Sequence, residues 1–258
     1  MKINRTHIED QFRQYASHYD LSDPKIRLKY DHTYRVASLC DDIAASLGME
    51  GEDRDLAWLS GMLHDIGRFE QVRRYGTFQD GQSVNHAELS ADLLFHDGMI
   101  RDYTGDASQD ALLEKVVRLH NIYILPDTLT ERELCYANIL RDADKVDILR
   151  VNCDTPVSDI YNLPMDEFRK ASISPQVYED VMKGENVNRA HSQTAIDFLI
   201  GHIAFIFGLV YPESMRQMQA QGYLERMMQF DTQNPDTAEK LSHIRDYVHR
   251  YMEQRLQE

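Results

Sequence analysis

The sequence predicts an all-α protein, on three observations. Apolar residues recur at the helical spacing of three and four over long stretches, alternating strand patterns are scarce, and the periodic stretches are bounded by caps, prolines and glycines. No internal repeat or low-complexity tract interrupts them. With 258 residues and a hydrophobic fraction of 42%, the chain can bury a sizeable core.

Taken in order, Ile8, Phe12, Tyr15 and Tyr19 space a first amphipathic helix. "LSDPKIRLKYDHTYRVASLCDDIAASLG" then offers a cap at Ser22 or Asp23, Pro24 near the first turn and Gly48 as a terminator, so the second helix is long. A third runs over "EDRDLAWLSGMLHDIG" and is expected to end at Gly67, leaving "RFEQVRRYGTFQDGQS" as a polar, glycine-punctuated loop with at most a short turn. Loops of this kind often border sites. Further helices are expected over "NHAELSADLLFHD", "SQDALLEKVVRLHN" and "TERELCYANILRDADKVDILRV". Residues 1–151 read as one helical core. Residues 152–258, punctuated by Pro156, Pro164, Pro175 and Pro212, read as a helical extension packed on it, since no Gly/Ser-rich linker intervenes.

The 43 acidic residues against 28 basic ones give a net charge of -15, which repels phosphate backbones and anionic membrane surfaces. Nucleic acid and membrane are therefore not expected as partners, although a local basic pocket can still take a small phosphorylated ligand. Cys40, Cys135 and Cys153 lack CxxC spacing and suggest neither a disulfide framework nor a thiolate zinc site. The start, "MKINRTHIEDQFRQY", has no apolar segment of the secretory type, and a reducing cytoplasm is the expected setting. "AIDFLIGHIAFIFGLVY", residues 195–211, is short for a membrane span and carries Asp197 and His202, so it is expected to be a buried core helix.

Five polar residues fall on apolar faces. His32 has Leu28, Val36, Leu39 and Cys40 on its side of the second helix, His86 is followed by Leu89, Leu93 and Leu94, and His120 is preceded by Leu112, Leu113 and Val116. Asp144 has Ala137, Leu140, Ile148 and Val151 at helical offsets, and His64 with Asp65 lies near the end of the third helix. One buried histidine is ordinarily a hydrogen-bonded core residue. Several together with a buried carboxylate are different, because an ionised aspartate costs several kcal/mol (roughly) to bury unless paired or metal-bound. Helical spacing alone shows that each points inward; it does not show that they converge.

The ordered segments "HTYRVA", "GMLHDIGRF", "NHAELSADLL", "RLHN" and "DADKVD" resemble the HD-domain superfamily of metal-dependent phosphohydrolases, over about residues 20–151. The resemblance implies a helical bundle in which His32, His64, Asp65 and Asp144 hold one metal. His86 and His120 resemble the additional ligands of the dinuclear branch, where the aspartate of the pair bridges two ions. Asp142 competes with Asp144, but the two lie about 200° apart on a helix and only one can face the site; Asp144 has the apolar neighbours. The second dipeptide, His96–Asp97, lacks this context and is not expected to form a site.

A set of imidazoles and carboxylates without thiolate suits Mn, Fe or Co, with Zn or Mg as alternatives. Two such ions, about 3.5 to 4 Å apart, activate a water for attack on phosphorus and polarise the phosphoryl oxygens. Asp65 is then the catalytic centre, with Arg68 and Lys145 as candidate catalytic and substrate-binding cations. Asn121 can orient a phosphate or cap its helix, Arg35 can reach the mouth of the site, and Arg73 and Arg74 read as solvated charges. Arg189 and His191 are explained by a helix start capped by Asn188 or Ser192. The expected activity is phosphohydrolysis of a small phosphate ester or nucleotide. The alternatives are a di-iron oxygenase of the same fold and a non-catalytic metal- or nucleotide-sensing regulator.

Overall fold

The computed structural model describes residues 3–156 and 163–257, and among these every regular element is helical. The chain divides into two compact units, Met1–Asp144 and Lys145–Glu258, and the division falls within one helix.

In the first unit, α1 (Arg5–Ala16) starts at Asn4, whose side chain accepts from the His7 N–H. It stops short of Tyr19, but Phe12, Tyr15 and Tyr19 all pack their rings against Phe69. α2 (Pro24–Ser46) is capped by Asp23, which accepts from the Lys25 N–H, and Gly48 follows it with φ +75°. α2 packs most extensively on α3 (Gly51–Leu63). The contact is close because a Cβ at Gly61 would lie 2.6 Å from the Ala37 Cα.

The third stretch departs from expectation. α3 ends at Leu63, and a new helix, α4 (Ile66–Tyr75), begins inside the "HDIG" segment instead of a loop. Gly67 lies in the first turn of α4 and terminates nothing. Two causes are visible: Ile66, Phe69 and Val72 supply a buried stripe at helical spacing, and the true terminator is Gly76, left-handed at φ +69°. Gly67 is small for another reason, since a Cβ there would meet the Ser90 N at 2.6 Å and the His86 O at 3.0 Å. The loop is thereby reduced to the stretch after Gly76, with one 3-10 turn at Asp80–Gln82.

Asn85 caps α5 (His86–Ala91), which runs into a π-helical turn at Asp92–His96. The short α6 (Ile100–Tyr103) and then α7 (Asp110–Leu119) follow, and α8 (Glu131–Asp154) carries the chain across the division. His96 and Asp97, both exposed, pair with each other.

In the second unit, Pro175, Pro212 and Pro235 each open a helix, where a missing N–H costs nothing. The apolar stretch after Thr194 forms a helix over Ala195–Ile203 and a 3-10 turn over Ala204–Gly208, and no helix of the described residues is long and apolar enough to cross a membrane. Its buried Asp197 closes a capping box with Thr194 and also accepts from the Ser174 N–H and hydroxyl. Asn188 caps the turn Arg189–His191, and His191 contacts Asp180 at 2.7 Å.

Arg5 ties α1 to both neighbours, donating to Asp41 at 2.6 Å on α2 and to Asp55 at 2.7 Å on α3, while Arg54 grips Asp41 from α3. Partial burial pushes the Asp41 carboxyl up, but Arg54 and Arg5 outweigh it and hold it below the usual carboxylate range. A carboxylate depressed in this way stabilises the folded state above its unfolded pKa and loses that contribution as pH falls through the folded value. Asp41→Asn should cost about 1 kcal/mol of unfolding free energy at pH 7. The gap from wild type should close as the pH is taken below about 4, as measured by urea unfolding across pH.

Candidate metal centre

Six helices bring the inward-pointing residues together. His32 lies mid-way along α2, His64 and Asp65 occupy the joint between α3 and α4, His86 opens α5, His120 closes α7 and Asp144 sits on α8. Ring centroids of His32 and His64, His64 and His120, and His120 and His86 are 5.4, 5.1 and 4.9 Å apart, so the four imidazoles form a row. All four rings are buried, and Asp65 is 2% exposed. Asp65 lies alongside the row with one oxygen toward each end. Its Oδ2 is 3.5 Å from His64 Nε2 and 3.6 Å from His32 Nε2; its Oδ1 is 3.6 Å from His86 Nε2 and 3.8 Å from His120 Nε2. Asp144 closes the first end, with Oδ1 at 3.1 Å from His32 Nε2 and 3.8 Å from His64 Nε2. Asp142 is buried on the same helix, but the groups of converging donor atoms contain Asp144 and not Asp142.

The tautomers follow from the partners. His64 Nδ1 is 2.8 Å from the Gly61 carbonyl and His120 Nδ1 is 2.7 Å from the Val117 carbonyl, and a carbonyl can only accept. His86 Nδ1 faces the Asp80 carboxylate at 2.6 Å. All three rings therefore donate from Nδ1 and turn a bare Nε2 inward. Burial keeps them neutral, pushing His86 and His120 down to about 4 and lowering His64. Two consequences bear on a cation. The Nε2 atoms of His86 and His120 approach to 3.0 Å with lone pairs facing, a contact that is repulsive unless a cation lies against both. The buried His64 Nε2 and Asp65 Oδ1 make no hydrogen bond. Donor atoms of His32, His64 and Asp144, and of His64, Asp65 and His120, lie within 4.8 Å of one another, close enough to share an ion. Burial pushes the Asp65 and Asp144 carboxyls up; Lys29 and Arg68 beside Asp65, and the hydrogen bond from His32 to Asp144, outweigh it and hold both well below the usual range, leaving them ionised.

Residues 30–149 match the family model of the HD domain. This part of the chain is an HD domain. HD domains are mostly metal-dependent hydrolases and bind divalent ions, and the His/Asp clusters described above are compatible with that. Neither the curated proteins nor the solved structures give a match to the chain.

Around the HD-domain cluster lie residues that helical spacing did not single out. Lys29, one turn before His32, donates to Asp65 Oδ2 at 2.6 Å. Asp80, besides holding His86, accepts from Arg68 Nη1 and Gln71 Nε2, both at 3.0 Å. Arg141, on α8, donates to the carbonyls of Leu119, His120, Ile122 and Tyr123, fixing the end of α7 that carries His120. Only Lys29 left a signal in the sequence, its position on the face of His32.

The remaining candidates fall in different places. Arg68 is half-buried beside the centre, with Nε 3.6 Å from Asp65 Oδ1 and its guanidinium over the Phe78 ring. Asn121 donates to Asn85 Oδ1 at 2.8 Å and sits 3.4 Å from Asp80 Oδ2, bracing the start of α5. Arg35 is half-buried one turn beyond His32. Lys145 donates to the Gly208 carbonyl at 2.8 Å within the second unit. Arg73 and Arg74 are exposed and both grip Glu70, in keeping with surface charges.

Gly67 sets the spacing of α4 and α5, and its own N–H donates to the Ser90 hydroxyl at 2.9 Å. Gly67→Ala forces backbone apart and should lower stability by about 1–3 kcal/mol. Because the same shift separates Asp65 from His86, titration with Mn²⁺ should show at least one ion bound more weakly than in wild type.

Proposed function

We propose that the protein is a metal-dependent phosphohydrolase acting on a small phosphate ester or nucleotide. The observation that carries this reading is the two-sided Asp65, ionised and buried, with the Nε2 atoms of His32 and His64 facing one oxygen and those of His86 and His120 facing the other. His32, His64, Asp65 and Asp144 would hold one divalent ion, and Asp65, His86 and His120 a second. The donor set, imidazole and carboxylate without thiolate, suits Mn, Fe or Co. Bound there, such ions supply Lewis acidity toward phosphoryl oxygens and lower the pKa of a coordinated water.

The chain's own residues do the rest. Asp80 and the Val117 and Gly61 carbonyls hold three imidazoles in the ligating tautomer, so no proton has to leave a ring before an ion enters. Arg68, anchored on Gln71, the Phe78 carbonyl and Asp80, offers a fixed positive charge beside Asp65 for the phosphate of a substrate. This local charge lets a protein of net charge -15 accept an anion.

Elemental analysis of the purified protein should find one to two transition ions per chain, and chelation should abolish release of phosphate from a panel of nucleotides and sugar phosphates. Asp65→Ala should remove tight metal binding and lower turnover by at least about 100-fold. A metal-free protein that retains full activity would overturn the reading, as would turnover that consumes O₂ and releases no phosphate. His86→Ala should reduce the stoichiometry to about one ion, with the His32, His64 and Asp144 group still loaded; an unchanged stoichiometry would remove the second ion from the proposal.

A further inference from the structure

Lys29 presents its ammonium to the Asp65 oxygen that also faces His32 and His64. Its Nζ is 2.6 Å from Asp65 Oδ2, and its side chain is 13% exposed. That oxygen is also nearer to the bare Nε2 of His64, at 3.5 Å, than Asp144 Oδ1 is, at 3.8 Å. An ammonium and a divalent ion therefore compete for one buried carboxylate oxygen. They cannot share it without placing like charges side by side in a poorly screened interior.

From this competition, and resting on the metal-dependent hydrolase reading, we infer that Lys29 exchanges partners: it neutralises Asp65 in the ion-free protein and, once displaced by the ion, binds the phosphate of the substrate. The surroundings give the displaced ammonium a destination. Lys29 Nζ lies 5.7 Å from the centre of the Phe78 ring, and the Arg68 guanidinium lies 5.6 Å from the same ring. The two cations flank one aromatic side chain beside Asp65. An anion seated there meets both, and the flexible lysine stem swings without moving α2, whose Lys29 carbonyl is held by the Thr33 hydroxyl at 3.0 Å.

The exchange makes a prediction of opposite signs that a merely structural lysine does not make. Removing the charge removes the competitor of the metal and also a ligand of the phosphate. In calorimetric titrations of the whole protein, Lys29→Gln should bind Mn²⁺ about tenfold more tightly than wild type, and the Mn²⁺-loaded variant should bind inorganic phosphate about tenfold more weakly. Lys29→Arg, which keeps the charge, should stay within about threefold of wild type in both. Lys29→Met serves the same purpose if the glutamine variant does not fold. Weaker Mn²⁺ binding by the charge-removing variants, or unchanged phosphate affinity, overturns the exchange while leaving the hydrolase reading standing. A wild-type protein that binds no Mn²⁺, Fe²⁺ or Co²⁺ overturns both.

Discussion

The ionised carboxylate of Asp65, buried to 2% exposure, is the constraint on which the first unit depends. Moving a lone carboxylate out of water costs several kcal/mol (roughly) even after relaxation, so positive charge has to be assembled around it. Lys29 contacts one oxygen directly, Arg68 approaches the other at 3.6 Å, and the imidazole row lies against both. Neutral imidazoles add lone pairs instead of charge, which deepens the demand for a cation. In the protein alone Lys29 and Arg68 offset the buried charge, and the donor atoms left over are compatible with an ion.

The joint that carries Asp65 explains several local features at once. α3 has to end and α4 to begin within two residues so that His64 and Asp65 both turn inward. Tyr15 secures the joint by donating to the Ile66 carbonyl at 3.0 Å, and Gly67 lets α5 approach until its backbone is in contact. That approach places His86 opposite Asp65 and brings Asp80, from the preceding turn, onto the outer nitrogen of the ring. A larger residue at position 67 would therefore act on the metal centre through packing, at a distance from any ligand atom.

Much of this was legible in the sequence, for definable reasons. His32, His86, His120 and Asp144 sit among apolar neighbours at helical offsets, and such stripes are strong evidence of which way a side chain points. Their convergence is a tertiary fact, supplied at the sequence level only by resemblance to a family. Gly67 was misread because a glycine after an apolar run has the same signature whether it ends a helix or clears room for a neighbour; the distinction lies in Ser90, far along the chain. Asp80 and Arg141 left no trace, because a loop carboxylate and a helical guanidinium reaching several residues around a turn follow no periodicity. Lys29 shares the face of His32, yet a lysine there reads as easily as an aliphatic stem with its charge in water.

The distribution of positive charge around the centre bears on what it can bind. Most basic residues described in the first unit are already matched at short range: Arg5 and Arg54 with Asp41, Arg118 with Glu88, Asp92 and Glu114, Arg73 and Arg74 with Glu70. Such pairs hold elements together and add little field at a distance. Lys29 differs in that its carboxylate, Asp65, is the one whose remaining valence an ion would take up, whereas Arg68 approaches Asp65 at 3.6 Å and pairs more closely with Asp80 at 3.0 Å. On the proposed exchange, the Lys29 pairing would weaken as an ion binds, and its charge would add to that of Arg68 beside Phe78. Metal loading and anion affinity would then be coupled through a single carboxylate, and by linkage a bound anion would strengthen the hold on the metal by the same factor.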